Sequence, residues 1–168
     1  NWFNGTIDWL SSGEIDKFPI LSSEKKITQE GVSVSAAKVL PKGTILLSIV
    51  RHLRVSILGI DASFNQSVVG LHETEKLKRY FLYPWLSRQV PCLMSLRTGA
   101  QQPHINKKIV DDLIIVIPPE NLLDKYNEIV APLFSQINSY AYEKMKLHEL
   151  RDLLLPMFIN RQIKLDIS

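Results

Sequence analysis

The last third of the chain constrains everything before it. From Tyr126 onward, apolar side chains return at Ile129 and Val130, Leu133, Ile137, Tyr140, Leu147, Leu150, Leu154 and Met157 with Phe158, and the position near Lys144 is the polar exception. That step is close to the half-heptad of a coiled coil. A helix from Glu120 to Leu155 would run roughly 54 Å at about 1.5 Å per residue. It is too long to lie flat on a lobe made from the remaining residues, so the spacing predicts a projecting rod whose apolar stripe requires a second helix. Pro118 and Pro119 force an extended approach, and Glu120 and Asp124 place negative charge where the helix dipole favours it. Pro132 predicts a kink near Glu128, and Pro156 a second kink or the end of the helix. An ordinary amphipathic helix folded back onto its own lobe is the alternative reading.

The 168 residues are 45% apolar, enough for one domain over 1–119 followed by a helical segment over 120–168. No run of 18 or more apolar residues occurs, so neither a membrane span nor an export signal is expected. The chain starts at Asn1 and not at Met, the pattern of a fragment or a processed chain. A lone cysteine, Cys92, rules out an internal disulfide framework and fits a cytoplasmic location.

The net charge of +3 is unevenly divided: residues 1–119 hold 14 Lys and Arg against 10 Asp and Glu, whereas residues 120–168 hold 6 against 7. Between Lys76 and Val110 there are Lys78, Arg79, Arg88, Arg97, Lys107 and Lys108 and no acid, and a second acid-free window contains Lys38, Lys42, Arg51 and Arg54. Two such stretches on one small domain suit a polyphosphate backbone, since each neutralised phosphate releases condensed counterions. A solvated basic surface is the plain alternative.

Taken in order, residues 1–14 alternate aromatic and apolar groups with turn formers, which predicts short strands with Trp2, Phe3 and Trp9 in the core or over it. Ser22 to Gly31 predicts one short capped helix ending at the glycine. Lys38 to Val50 reads as a turn and a buried strand, and Val55 to Gly59 as its hairpin partner, with Arg51, His52 and Arg54 at the tip. Asn65 and Gln66 precede a third strand, 66–71, and their amides suit an adenine edge or a loop equally well. Thr74 to Arg88 predicts a helix. The segment from Thr98 through Gln101, Gln102, His104 and Asn106 to Lys107 and Lys108 concentrates groups that read base edges beside groups that hold phosphate. Residues 109–117 predict a helical turn and then a buried strand.

Catalytic signatures are lacking. His52, His72, His104 and His148 are scattered, with no metal-ligand spacing to Cys92 or to a pair of carboxylates, and neither a phosphate-cradling glycine loop nor a serine elbow occurs. Asp16 with Glu24 and Lys26 imitates the acidic spacing of metal-dependent nucleases, but in a polar, turn-rich stretch. The expectation is a reader without metal or cofactor.

Several strings, taken in this order, resemble the DNA-specificity subunit of type I restriction-modification systems. They are Trp9-Leu10-Ser11-Ser12-Gly13-Glu14-Ile15, Ser22 to Thr28, Ala37 to Ser48, Asn65-Gln66, Val69-Gly70-Leu71, Thr98 to Lys108 and Leu150 to Pro156. The departures are a strand exit, Ile49 to Arg54, without the usual glycine, and a helix entry that lacks the Glu-Gln pair. The resemblance implies an α+β fold: a target-recognition domain with a twisted, partly barrel-like sheet and flanking helices, followed by a long coiled-coil-type spacer helix. It implies a non-catalytic subunit whose partners are double-stranded DNA, a methyltransferase (modification) subunit and, indirectly, a restriction subunit, with no membrane involved. One recognition domain per chain implies a homodimer, or pairing with a second half, on a bipartite site. The DNA-reading residues expected are Arg51, His52, Arg54, Asn65, Gln66, Thr98, Gln101, Gln102, His104, Asn106, Lys107 and Lys108. The helix would meet its partner through Tyr126, Val130, Leu133, Ile137, Tyr140, Leu147, Leu150 and Leu154. Two further readings stay open: an assembly or inhibitory module acting through the helix without reading DNA, and a magnesium-dependent nuclease centred on Glu24.

Overall fold

In the computed structural model, which describes residues 2–101 and 103–163, the lobe is built around the strand β3, Ile45–Ser48, every residue of which is buried. Its continuous apolar run is what a strand covered on both faces needs. Ile45 and Leu47 enter one core, while Leu46 points into a second, as the period of two dictates. β3 pairs antiparallel with β4, Val55–Ile57, on one side and with β6, Val68–Leu71, on the other. A second three-stranded sheet has β1, Phe3–Leu10, at its centre, antiparallel to β2, Lys25–Ile27, and parallel to β5, Ala62–Phe64. Isolated bridges join Ile20 with Leu58, next to β4, and Leu40 with Ala62 of β5. The expected α+β lobe is therefore present, with its strands divided between two small sheets and not gathered into one.

Short helices close the lobe: α1, Gln29–Ser33, capped by the Thr28 hydroxyl, and α3, Lys107–Asp111, capped by Asn106. Between them α2, Arg79–Ser95, buries Leu82, Leu86 and Leu93. The turn into β3 depends on Gly43, at φ +92, over which Arg79 packs; a Cβ there would lie 1.9 Å from Arg79 Nη1.

Several local expectations are corrected. β1 is one long, bulged strand and not a series of short ones, and Trp2 and Phe3 are exposed. The stretch expected to be a helix over 22–31 is a strand and then α1, because Ile27 pairs with β1 before Thr28 caps; Gly31 lies inside that helix. α2 begins at Arg79 and passes Pro84 and Pro91 to reach Ser95. The buried strand expected after Asp112 does not form; Leu113 and Ile115 touch the core while Ile114, Val116 and Ile117 face outward.

The long helix is α4, Glu120–Ile159, uninterrupted through Pro132 and Pro156. Its first half is fastened to its own lobe. Leu123 is buried in the α2 core, and the Tyr126 hydroxyl donates to the Tyr80 carbonyl (3.1 Å). The Phe134 ring packs edge-on against Tyr80, Phe18 and Tyr83, with centroids 5.2, 6.0 and 6.0 Å apart. Further along, the Tyr142 hydroxyl donates to Gly59 (2.9 Å) beneath the Lys42 ammonium. This contact stripe extends about 29 Å at about 1.5 Å per residue. A rod that projects from its start is thus corrected: a row of aromatic residues, overlooked in favour of the aliphatic period, docks it. Tyr126 belongs to that docked face, and Val130 is half-buried. Beyond Tyr142 no hydrogen bond or ring contact joins α4 to the lobe among the described residues. About a third of a turn around the helix, Ile129, Leu133, Ile137, Tyr140, Leu147 and Leu150 form an exposed apolar stripe.

Candidate nucleic-acid interface

The exit of β3 gathers the chemistry. Ile49 N–H bonds are made to Ser67 and its carbonyl accepts from Ile105 (2.9 Å), while Val50 bridges His104, which in turn pairs with Thr98. Backbone pairing therefore pins the 98–106 segment to the tip of the β3–β4 hairpin, two stretches about fifty residues apart in the chain. Arg51 is held from both sides: its N–H donates to the Pro103 carbonyl (2.7 Å) and its carbonyl accepts from Arg97 Nη1 (2.7 Å). It sits at φ +55, in the left-handed region, where a side chain costs about 1–2 kcal/mol. This strand exit contains no glycine, and it is an arginine that takes the glycine-like conformation, with its guanidinium exposed.

Two clefts flank this junction. The first, of about 250 Å³, is lined by Ser12, Gly13, Val50, Arg51, His52 and Arg54. Its Ser12–Gly13 wall is a short 3-10 turn fixed by Glu14, whose carboxylate accepts from Ser11 N–H and Oγ (both 2.8 Å) and from Glu24 N–H (2.8 Å). Partial burial pushes the Glu14 carboxyl up, but those hydrogen bonds, with Lys17 nearby, hold it below the ordinary carboxylate range. The second cleft, of about 510 Å³, brings together Asn65, Gln66 and Lys107 with Lys38, His72 and the Trp9 and Phe64 rings. Ile49 lines one cleft and Val50 the other, so the two adjoin across one strand.

The structure sorts the expected residues. Arg51, His52 and Arg54 share the smaller cleft, although Arg54 also reaches Asp16 at 3.5 Å in an exposed ion pair of little energetic weight. Gln66 and Lys107 both line the larger cleft. Asn65 and Asn106 are committed to the backbone: Asn65 Oδ1 accepts from Ser67 N–H (3.0 Å), and Asn106 Oδ1 from Lys108 N–H (3.1 Å) as a helix cap. Thr98 and His104 are exposed at the pinned segment, Gln101 and Lys108 are exposed beside it, and Gln102 lies outside the described residues. Lys38, His72 and Trp9 were not expected in the site; Lys38 was signalled by its acid-free window, whereas His72 and Trp9 carried no signal in the chain order. Arg97, counted as one more cation, is a clamp, its guanidinium donating to the Met94 and Arg51 carbonyls (3.0 and 2.7 Å). The nuclease reading finds its Asp16 engaged by Arg54, and no group of three or more metal-ligating side chains is assembled among the described residues. No described helix is long and apolar enough to cross a membrane.

A lobe of two small sheets with a long helix at its C-terminal end has counterparts of the same fold within solved type I restriction-modification chains. The HsdS subunit from Thermoanaerobacter tengcongensis shares the fold with a TM-score of 0.59 at 15% identity, over 92% of this chain and 37% of that one. A second solved chain, from work on complex assembly and conformational transition of the type I R-M system, gives 0.56 at 17% identity, over 94% of this chain and 39% of that one. Residues 1–151 match the family described as type I restriction modification DNA specificity domain, and the chain belongs to that family. Among curated relatives, the EcoR124I/EcoR124II specificity subunit of Escherichia coli is 24% identical over 91% of this chain and 42% of its own length. The MjaIX specificity subunit of Methanocaldococcus jannaschii is 28% identical over 53% of this chain and 21% of its own. The chain thus spans about two fifths or less of the relatives it matches.

Proposed function

We propose that this chain is one DNA-reading half of a type I specificity subunit, itself non-catalytic and acting in the cytoplasm, that directs a methyltransferase and its associated restriction activity to a bipartite site. Residues 1–119 form the reading lobe and 120–168 the spacer, whose free stripe meets a second helix and the modification subunit. The observation that carries the reading is the junction at Ile49–Val50. There, backbone pairing aligns two basic clefts in which the Arg51, Lys38 and Lys107 side chains have no acidic partner among the described residues. Exposed cations left unneutralised beside Gln66, Gln101 and the Thr98–His104 pair provide phosphate anchors next to groups that read base edges.

The test is salt-dependent binding to a panel of duplexes, with and without a modification subunit. Lys107→Ala is expected to weaken binding on every sequence and to reduce the salt slope by about one. Gln66→Ala is expected to relax preference at one position by about 1–3 kcal/mol. Identical effects of the two changes on specific and random duplexes would refute the division of roles. The exposed stripe on α4 also favours a second reading, an assembly or inhibitory module; it predicts capture of the modification subunit with no footprint on any duplex.

A further inference from the structure

The segment that leads into α4 is an extended chain without a sheet. Leu113 and Ile115 pack against the core, while Ile114, Val116 and Ile117 are 88%, 81% and 50% exposed, close to the period-two burial of a strand resting on a lobe by one face. Residues 114–117 belong to no helix or strand, and among the described residues their backbone makes no hydrogen bond. The nearest bond upstream, from Leu113 N–H to the Val110 carbonyl, closes the turn after α3. An open row of amides and carbonyls between apolar side chains is a template for one more strand. A helix cannot fill it, because its own backbone groups are already bonded to each other.

The chain also carries an alternating segment outside its sheets. All six described strands lie in the two sheets, and past α4 the sequence runs Ile163-Lys164-Leu165-Asp166-Ile167, apolar and polar in turn. Of these only Ile163 is among the described residues. The segment cannot return to the 114–117 edge of its own chain. α4 has 40 residues and spans about 60 Å at about 1.5 Å per residue. Ile167 lies eight residues past Ile159, and Val116 four before Glu120; fully extended, those two stretches together cover at most about 43 Å.

We propose that residues 114–117 receive residues 163–167 of a second copy of this chain as an added strand, with Ile163, Leu165 and Ile167 on the outer face beside Ile114 and Val116. The inference rests on the functional reading above, in which a second helix meets α4, and adds an exchange of strands to it. A copy whose α4 ends beside the start of this one delivers its alternating segment to the edge and, by two-fold symmetry, receives the other. A ladder this short is marginal alone, so it locks a pairing that other contacts begin.

The full chain is followed by sedimentation and by amide exchange at concentrations that span the dimer transition. Alternate amides within 114–117 are expected to be protected at least about tenfold in the dimer and to exchange at free-chain rates after dilution to monomer. Val116→Lys changes a side chain that is 81% exposed and that the lobe does not need; Leu165→Pro removes a backbone donor from the incoming strand. Each is expected to abolish the protection and to raise the dimer dissociation constant by about ten- to a hundredfold, since the lost cross-strand pair and hydrogen bonds count twice in a symmetric dimer. In a Cys92→Ser background, Val116→Cys chains mixed with Leu165→Cys chains are expected to cross-link in preference to either variant alone. Unprotected amides at 114–117 in a chain that sediments as a dimer overturn the added strand and leave the helix pairing intact. Protection that survives Leu165→Pro, or that arises only with a modification subunit, overturns the occupant. A chain that stays monomeric at all concentrations overturns the exchange, and the duplex-binding assay on that monomer then decides separately whether the lobe reads DNA.

Discussion

Replacing Arg51 separates what holds the hairpin tip from what the tip does. Its backbone is fixed by the Pro103 carbonyl and Arg97 Nη1, each at 2.7 Å, neither of which involves its side chain. Arg51→Ala therefore keeps the turn together with its left-handed strain at φ +55, and should change stability by less than about 0.5 kcal/mol, as exposed substitutions do. Arg51→Gly relieves about 1–2 kcal/mol of that strain but frees the unfolded chain, which costs about 0.4–1 kcal/mol. The expected sum lies between no change and about 1.5 kcal/mol of stabilisation, with glycine more stable than alanine. Both variants lose the guanidinium equally. If it holds phosphate, each lowers the slope of log affinity against log salt by about 0.9; if it reads guanine, each costs about 1–3 kcal/mol at one base pair. Urea denaturation and salt-titrated fluorescence anisotropy on the same preparations measure the two axes. A glycine variant less stable than alanine, or one that binds DNA as the unaltered chain does, would refute the reasoning.

Other parts of the molecule yield outcomes of different kinds. Arg97→Ala removes both carbonyl contacts of the clamp and should destabilise by about 1.5–3 kcal/mol, the range for hydrogen bonds to a charged group; Arg97→Lys should not rescue it, because an ammonium lacks the planar fork. The Glu14 carboxyl is held below its usual range when folded, so its contribution is fully present above the unfolded value and fades as pH falls through the lower, folded one. The Tm difference between the unaltered chain and Glu14→Gln should accordingly be constant near neutrality and close under acid conditions; a difference that grows on acidification would contradict the assigned sign. Phe134→Ala removes the half-buried ring that docks α4 against Tyr80, Phe18 and Tyr83 and should cost about 2–4 kcal/mol in chemical denaturation, somewhat less than a fully buried ring. Amide exchange should then accelerate in the first half of α4 and leave the β3 ladder protected.

How much of this was legible follows from which residues carry information locally. β3 announced itself because both its faces are buried, and a doubly covered strand needs no alternation that could be misread; the α4 stripe announced itself because a free seam keeps a strict period. The docked face of the same helix did not. Its contacts come from Tyr126, Phe134 and Tyr142, spaced eight residues apart, and they reach a lobe surface that only the folded chain assembles. Long-range pairing also explains the failure at 22–31, where Ile27 is claimed by β1 before a helix can start, and at 113–117, where a continuous apolar run exists but no neighbouring strand receives it. In the candidate site, the residue types were visible and their roles were not: Asn65 and Asn106 look the same in sequence as Gln66, yet their shorter side chains reach back to the local backbone, as Asn at turns and caps does. Arg51 illustrates the same limit. Nothing in its neighbours predicts a positive φ, because the strain is imposed from Pro103 and Arg97, about fifty residues away in the chain. A non-glycine residue persists in that conformation only where its surroundings over-determine it, and here the Pro103 and Arg97 contacts supply that constraint beneath an exposed guanidinium.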